Sequence, residues 1–382
     1  MMTRHRALAL GASLLATLPL SAQQVSQSSA ASLREVFAGH FLVGAALNSD
    51  QFWERDTIGA RLIKRHFNTI TPENVLKWER VHPQPGRYAF EESDRYVDFG
   101  TRNGMTVIGH TLVWHSQTPR WVFQDSAGNP ATREQLLARM KEHIQTVVGR
   151  YAGRIRGWDV VNEALNEDGT LRQTPWMRII GEDYLVKAYQ WAQEADPAAE
   201  LYYNDYSLAN PAKRDGAVRL VNTLRAAGVR VAGIGSQDHH NMSWPSAALV
   251  DSMLTVFGNA GLKVHVTELD VDVLPRATRG NSADVGQRAA ARAELDPYTA
   301  GLPDSAQRAL AQRYGQMFDV YMKHRGIIER VTFWGVRDGD SWLNGWPVPG
   351  RTNHPLLFDR EGNGKPAFQA VLDAARRAAP VP

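Results

Sequence analysis

Two short stretches of this 382-residue chain each place a glutamate directly after a run of apolar and β-branched residues. Residues 157–164 (GWDVVNEA) contain Glu163, and residues 262–270 (LKVHVTELD) contain Glu268. Such runs are typical of buried parallel strands, and the carboxyl ends of parallel strands form the active-site face of a barrel. Two carboxyl groups on one face, one acting as acid and the other as nucleophile, are what hydrolysis of a glycosidic bond requires. The two glutamates are therefore candidate catalytic residues.

Polar and aromatic side chains gather at the ends of the second, third, fourth, sixth, seventh and eighth predicted strands. One histidine or asparagine at a strand end more often caps a helix, and one tryptophan is as often part of the core. Independent structural roles would not all fall on one face. The chain also has 11 Trp, and sugar sites combine flat aromatic rings with polar donors and acceptors. The residues in question are Glu73, Asn74, Lys77, His110, Trp114, Asn162, Glu163, Gln237, His239, Glu268 and Trp334.

Eight apolar runs alternate with stretches of helical periodicity. The helices have clear starts, such as Thr132 with Gln135 as a capping box and Asn210 followed by Pro211. The alternation predicts an α/β fold, a closed (β/α)₈ TIM barrel that forms a single catalytic domain over residues 41–379. The predicted strands are residues 41–47, 67–71, 105–110, 157–164, 200–205, 229–235, 262–270 and 330–335. Helices are predicted at residues 52–66, 210–228, 245–258 and 366–379.

A long irregular segment, residues 275–303, follows the seventh predicted strand. An unstructured stretch of this length in a compact domain is usually functional. Its place after a strand end predicts an active-site loop.

The first 22 residues have the features of a secretory signal peptide, with Arg4 and Arg6 before the apolar run 7–18. The run is too short to span a membrane stably, and no later run is long enough either. We expect cleavage after residue 22 and a lead-in over residues 23–40. The protein is then secreted, with the medium or the periplasm as its destination, and has no membrane partner.

Composition excludes several other classes. Loss of the signal peptide removes two of the 43 basic residues and leaves 41 against 40 acidic ones, so no basic surface for nucleic acid is expected. The chain has no cysteine, which removes thiolate catalysis and thiolate metal sites and leaves stability to the core. We expect a monomer.

The neighbours Asp238, His239 and His240 raise the alternative of a metal site. Adjacent residues rarely converge on one ion, and no His-x-x-x-His or Glu-x-x-His spacing supports it. We therefore expect neither a metal nor another cofactor. Asp270 lies two residues beyond Glu268 and so faces the same side of the strand, where it could adjust the charge of the site or cap a loop.

Together these motifs resemble the family-ten glycoside hydrolases, the retaining endo-β-1,4-xylanases, from about residue 40 to residue 375. Each motif alone is moderately specific, but the whole set in this order is highly specific. The chain departs from the family at Asp238, where a glycine is expected. Besides the two glutamate signatures, the matching segments are residues 72–74 with Lys77, residues 109–117, 203–206, 237–239, 333–336 and 341–342.

The resemblance implies a role for each matching residue. Glu163 would be the acid/base and Glu268 the nucleophile, with His239 held between Glu268 and Asp270. Asn162 would bind the sugar 2-hydroxyl at the cleavage site. Trp342 would fill the space of the glucose hydroxymethyl group and so favour xylose. Other sugar contacts would come from Glu73, Asn74, Lys77, His110, Trp114, Gln117, Tyr206, Gln237 and Trp334.

The predicted function is thus hydrolysis of internal bonds in xylan and xylo-oligosaccharides. One alternative is the same mechanism on cellulose or mixed-linkage glucan. Another is a non-catalytic carbohydrate-binding barrel, against which the presence of both glutamates weighs.

Overall fold

Parallel strands joined by helical crossovers build the scaffold, because a parallel connection needs a long return over the outside of the sheet. The computed structural model describes residues 31–277 and 283–378. The strands in these ranges are β1 (Leu42–Leu47), β2 (Thr69–Pro72), β3 (Thr106–Val113), β4 (Gly157–Asn162), β5 (Glu200–Asp205), β6 (Gly233–Ser236), β7 (His239–Asn241), β8 (Lys263–Asp272) and β9 (Ile328–Phe333). Strand β1 pairs with both β2 and β9, which closes the sheet. The predicted (β/α)₈ barrel is confirmed.

Helices surround the barrel and bury their apolar faces against it. The predicted capping box at Thr132 is confirmed. Thr132 Oγ1 accepts from the Gln135 amide, and Gln135 Oε1 accepts from the Thr132 amide. The helices are α1 (Leu33–Val36), α2 (Ser49–Phe52), α3 (Thr57–His66), α4 (Trp78–Val81), α5 (Glu91–Arg102), α6 (Arg120–Phe123), α7 (Arg133–Arg150), α8 (Pro175–Ile180), α9 (Asp183–Ala195), α10 (Pro211–Ala226), α11 (Ala247–Asn259), α12 (Asp304–Lys323) and α13 (Pro366–Arg377). Short 3₁₀ turns cover Ala293–Leu295, Asp338–Asp340 and Trp342–Asn344.

The sixth barrel strand differs from its prediction. The expected strand over residues 229–235 is wrong at its start, because pairing begins only at Gly233, which lies opposite Tyr202 and Lys263. The strand then breaks and resumes as β7, which also pairs with β8. Asp238 lies in the break with a φ of 53°, a left-handed conformation that interrupts the ladder.

The predicted helix over residues 52–66 is likewise wrong at its start, because α2 ends at Phe52 and α3 begins only at Thr57. Glu54 between them has a φ of 62°, and the Asp56 side chain then caps α3 by accepting from the Gly59 amide at 3.0 Å. Within the predicted lead-in, α1 packs onto the barrel and Leu33 is fully buried. The predicted signal peptide lies outside the described residues.

Side chains of β-strands and helices share one continuous hydrophobic core. Close strand packing depends on small residues, as at Gly109, where an added Cβ would lie 2.1 Å from the Trp158 ring. This glycine precedes His110 and fixes the approach of β3 to β4. Among the described residues, no helix combines the length and apolar character needed to cross a membrane.

Candidate active site

A cleft of about 540 Å³ opens at the carboxyl ends of the strands and contains both candidate glutamates. All the predicted site residues line it except Asp270 and Tyr206. Ala283 and Val285, from the predicted active-site loop, line it as well. The predicted residues along its wall are Glu73, Asn74, Lys77, His110, Trp114, Gln117, Asn162, Glu163, Gln237, His239, Glu268, Trp334 and Trp342.

Glu163 is buried directly after β4, with a φ of 58° that few non-glycine residues adopt. Its carboxylate accepts from Trp114 Nε1 at 2.9 Å and from Gln237 Nε2 at 3.1 Å. Burial and, next, the charge of Asp205 raise the pKa of Glu163 to about 7, although these hydrogen bonds oppose the shift. The Glu268 charge is a smaller contributor to this pKa. At neutral pH this side chain is therefore able to hold a proton.

Glu268 lies in strand β8 and is also buried. One carboxylate oxygen accepts from Asn204 Nδ2 at 2.9 Å and the other from His239 Nε2 at 3.2 Å. Burial alone would raise the pKa of Glu268, but its hydrogen bond to His239 and its electrostatic interactions with His110, His239 and Lys77 lower it. This carboxylate is therefore ionised where Glu163 is still protonated.

His239 lies between two carboxylates. Its Nδ1 is 3.0 Å from Asp270 Oδ1, on the side opposite Glu268. Burial would lower the pKa of His239, yet the charges and hydrogen bonds of Asp270 and Glu268 raise it to about 10. Both ring nitrogens consequently donate at neutral pH. Trp342 Nε1 donates to the second oxygen of Asp270 at 2.8 Å, which orients this carboxylate as well.

The half of the cleft that follows β2 and β3 is built around a buried lysine, Lys77. Lys77 Nζ donates to Gln117 Oε1 at 2.8 Å and to Asn74 Oδ1 at 3.2 Å. It also lies 5.1 Å from the Trp114 ring centroid and 6.0 Å from that of Trp334. Donors, acceptors and aromatic faces thus alternate along this wall, an arrangement suited to a sugar ring.

His110 lies deeper, at the boundary between cleft and barrel interior. Its Nδ1 is 2.9 Å from Asp159 Oδ2, and both side chains are buried. Asp159 is the strand neighbour that fixes the ring orientation and leaves Nε2 for the cleft.

Comparison with known proteins gives this site a family. The sequence profile described as "Glycosyl hydrolase family 10" matches residues 32–374. The chain belongs to glycosyl hydrolase family 10. It is accordingly a glycoside hydrolase, and the predicted resemblance is confirmed.

Several relatives of this family 10 hydrolase are similar over nearly the whole chain. Endo-1,4-beta-xylanase A of Xylanibacter ruminicola is 45% identical over 94% of this chain and 96% of its own. Beta-1,4-xylanase of Dictyoglomus thermophilum is 42% identical over 89% of this chain and 90% of its own. Among solved structures, a GH10 endoxylanase from a sugarcane soil metagenome has a TM-score of 0.86 and 43% identity, covering 89% of this chain and 99% of that one.

Asn204 is the functional-site residue that the sequence reasoning missed in this family 10 hydrolase. Its Nδ2 donates to Asn162 Oδ1 at 3.0 Å as well as to Glu268, and its Oδ1 accepts from Thr267 at 2.7 Å. Because Asn162 Nδ2 lies 3.3 Å from Glu163, one hydrogen-bonded chain joins the two glutamates. The signal was available, since Asn204 lies at the end of the fifth predicted strand. Among the second to eighth predicted strands, the fifth was the only one whose end contributed no residue to the predicted cluster of polar and aromatic side chains.

Tyr206 lies behind the cleft wall rather than on it. It is buried, and Arg172 Nη2 donates to its hydroxyl at 2.5 Å. Its contact with sugar stays a prediction. Asp238, where the family pattern has glycine, adopts the backbone conformation that favours glycine, and its carboxylate accepts from Tyr321 at 2.6 Å.

Proposed function

We propose that this family 10 hydrolase is an endo-1,4-β-xylanase that cleaves with retention of configuration, using Glu268 as nucleophile and Glu163 as acid/base. The observation that supports it is the opposite shift of the two pKa values within one cleft, raised at Glu163 and lowered at Glu268. A retaining glycosidase needs one carboxylic acid and one carboxylate at the same pH. We expect the two carboxyl groups to be about 5–5.5 Å apart.

In the first step, a Glu268 oxygen attacks the anomeric carbon while Glu163 protonates the departing glycosidic oxygen. The carbon–oxygen bond to the leaving sugar breaks, and a covalent glycosyl-enzyme forms. In the second step, Glu163, now a carboxylate, takes a proton from water. That water attacks the anomeric carbon and releases Glu268, so two inversions give net retention.

The surrounding residues are assigned by what they touch. His239 holds a Glu268 oxygen through Nε2, keeping the nucleophile ionised and oriented, and Asp270 holds His239. Asn162, whose Oδ1 accepts from Asn204 Nδ2, is assigned to the 2-hydroxyl of the sugar at the cleavage site. The half of the cleft around Lys77 that follows β2 and β3, here termed the Lys77 wall, is assigned to the next sugar on the non-reducing side.

Xylan as substrate is supported by the relatives that carry the name xylanase over nearly the full chain. Trp342 lines the cleft beside His239, with ring centroids 4.9 Å apart. A rigid indole in this place would exclude the hydroxymethyl group that distinguishes glucose from xylose. Secretion through residues 1–22, and a monomeric state, remain part of the proposal.

Substrate selection is testable with matched oligosaccharides. We expect kcat/KM on xylo-oligosaccharides to exceed that on cello-oligosaccharides of equal length, with reducing ends released from xylan but scarcely from cellulose or mixed-linkage glucan. Trp342→Ala should narrow the gap, and Trp342→Phe, which keeps an aromatic ring but loses the bond to Asp270, separates bulk from hydrogen bonding. Equal rates of the wild type on both series would contradict the assignment to xylan, and turnover on no polymer would favour a binding barrel.

A further inference from the structure

Part of the chain between β8 and α12 lines the cleft. Residues 283–287 of this segment, here termed the strap, include Ala283 and Val285, which line the same cleft as Glu163 and Glu268. Ala283 is only 7% exposed. The strap is thus part of the wall beside the reacting groups, and no step of the proposed mechanism uses it.

Two interactions of Asp284, here termed ties, hold the strap in place: an ion pair with Arg172 and a hydrogen bond from Trp346. Asp284 Oδ2 forms an ion pair with Arg172 Nη1 at 3.1 Å, and the Asp284 carbonyl accepts from Trp346 Nε1 at 3.2 Å. The side chains of the ion pair are 17% exposed at Arg172 and 32% at Asp284, so solvent screens it less than a fully exposed pair. Just past the strap, the Ala289 amide donates to the Pro347 carbonyl at 3.0 Å.

The two ties place the strap across one half of the barrel mouth. Arg172 belongs to the loop after β4, and its amide donates to the Ala164 carbonyl, next to Glu163. The strap itself follows β8, and β5 and β6 lie between β4 and β8 in the sheet. The connection from Asp284 to Arg172 therefore crosses the mouth above β5 and β6, away from the Lys77 wall that follows β2 and β3.

This half of the mouth is where the leaving part of a substrate belongs. The acid protonates the leaving oxygen, so the sugars that depart extend from the Glu163 side, whereas the Lys77 wall holds the retained sugars. We propose that the strap, fastened by the Asp284–Arg172 ion pair, is a specificity element that disfavours substrates with long chains on the leaving-group side. This inference rests on the proposed roles of Glu163 and Glu268. A polymer that occupies several positions there needs the ion pair to release.

The test uses Asp284→Asn in the full-length enzyme. Asparagine keeps an oxygen for the Gly286 amide, which now donates to Asp284 Oδ1 at 2.8 Å, but removes the charge that faces Arg172. Two substrates are compared: an aryl β-xylobioside, whose leaving group is a single small ring, and xylohexaose labelled with ¹⁸O at its reducing end. Asp319→Asn is the control, because it removes an exposed ion pair with Arg377 on the outside of the barrel.

We expect Asp284→Asn to raise the ratio of xylohexaose to xylobioside kcat/KM roughly two- to fivefold, the range that loss of such an ion pair allows. Cleavage of xylohexaose should shift from bonds near the labelled end toward the centre, and Asp319→Asn should change neither readout. An unchanged ratio with an unchanged cleavage pattern, or a ratio that falls, would overturn the role of the strap. Absence of wild-type turnover on the xylobioside would instead overturn the proposed function.

Loss of folding in Asp284→Asn is covered by a second variant. Trp346→Phe removes the other tie, the bond to the Asp284 carbonyl, and leaves the ion pair and an aromatic ring in place. The same direction of change in the substrate ratio supports the strap, and an unchanged ratio or a change in the opposite direction overturns it.

Discussion

His239, at the barrel mouth, and the pair His82 and His143 differ in charge, although little of any of these three side chains is exposed to solvent. His239, at the mouth, has a carboxylate on each ring nitrogen and a pKa raised to about 10. His82 and His143, between α4 and α7, have their Nδ1 atoms 3.3 Å apart. Burial lowers the pKa of His82 to about 4, and burial together with the neighbouring His82 lowers the pKa of His143 well below its ordinary value.

The neutral pair is held by aromatic rings instead of charges. The His143 ring stacks on Trp78 with centroids 3.7 Å apart, and the His82 ring stacks on Tyr88 at 3.9 Å. Only one of the two facing Nδ1 atoms can carry a hydrogen, so the two rings cannot both be charged, and burial favours the neutral form of each. Burial thus acts in the same direction on His82, His143 and His239, and at His239 the two neighbouring carboxylates reverse its effect on the pKa.

The largest expected effect on the charged cluster around His239 comes from removing Glu268, which is both the proposed nucleophile and a hydrogen-bond partner of His239. Glu268→Ala should lower kcat on the order of 10⁶-fold, the size found when a nucleophile is removed from another hydrolase. The space that it leaves admits a small anion, so azide should restore cleavage of an activated aryl xyloside with inverted product, as measured by NMR of the anomeric proton. Activity of Glu268→Ala near that of the wild type would end the assignment.

Glu163 tests whether burial can also hold a carboxylic acid neutral in the same cleft. With a pKa of about 7, Glu163 is protonated below that pH and loses its proton above it, so it should set the alkaline limb of a bell-shaped kcat/KM profile. Glu163→Gln should lower turnover of natural substrates by roughly 10²–10⁴-fold.

Aryl xylosides with good leaving groups provide the readout for Glu163→Gln. They need no acid for the first step, so the variant should still form the glycosyl-enzyme, detectable by intact-protein mass spectrometry. The alkaline limb should disappear for these substrates. An unchanged limb would identify a different acid.

The elements that hold this site could largely be predicted, because apolar runs and caps such as Thr132 are local signals. Both glutamates followed from the rule that parallel strands present their carboxyl ends on one face. The split at Asp238 could not, because the left-handed aspartate in the sixth strand is stabilised by a hydrogen bond from Tyr321, 83 residues away in sequence. The cause of the raised Glu163 pKa could not be predicted either, since burial and the charge of Asp205 contribute more to it than the charge of Glu268.

The Arg172–Asp284 ion pair shows a second limit. Its partners are 112 residues apart in sequence, and neither residue type is unusual in a loop. The sequence indicated that residues 275–303 belong near the site, but the place where that loop is fastened depends on the three-dimensional order of the strands. Contacts between two loops at the barrel mouth carry no local sequence signal.

Replacing His239 and His82, each by asparagine, compares how the charged and the neutral histidine affect the pH profile of kcat/KM. His239→Asn removes the cation beside Glu268, so the pKa of Glu268 should rise, as it does when a close opposite charge is lost. Glu268 must be ionised to attack, and the acid limb of the kcat/KM profile should therefore move to higher pH, which narrows the bell. His82→Asn should leave both limbs in place. An acid limb that does not move in His239→Asn would mean that His239 acts only as a structural contact.

The smallest expected effect is that of the neutral histidine His82 on the pH dependence of the free energy of unfolding. His82 has a folded pKa of about 4, below the value of about 6.5 expected for the unfolded chain. As the pH falls below 6.5 the unfolded chain binds a proton first, so the neutral His82 withdraws stability on acidification. Between pH 7 and pH 5 the wild type should lose about 2 kcal/mol more free energy of unfolding than His82→Asn, by urea titration at each pH.

The control His239→Asn should differ from the wild type in the opposite sense. Because the raised pKa of His239 stabilises the folded state more as the pH falls, the variant should lose more free energy of unfolding on acidification than the wild type does. Equal acid losses in the wild type and His82→Asn would mean that His82 takes up its proton without unfolding, and the two histidine environments would then be less different than their contacts indicate.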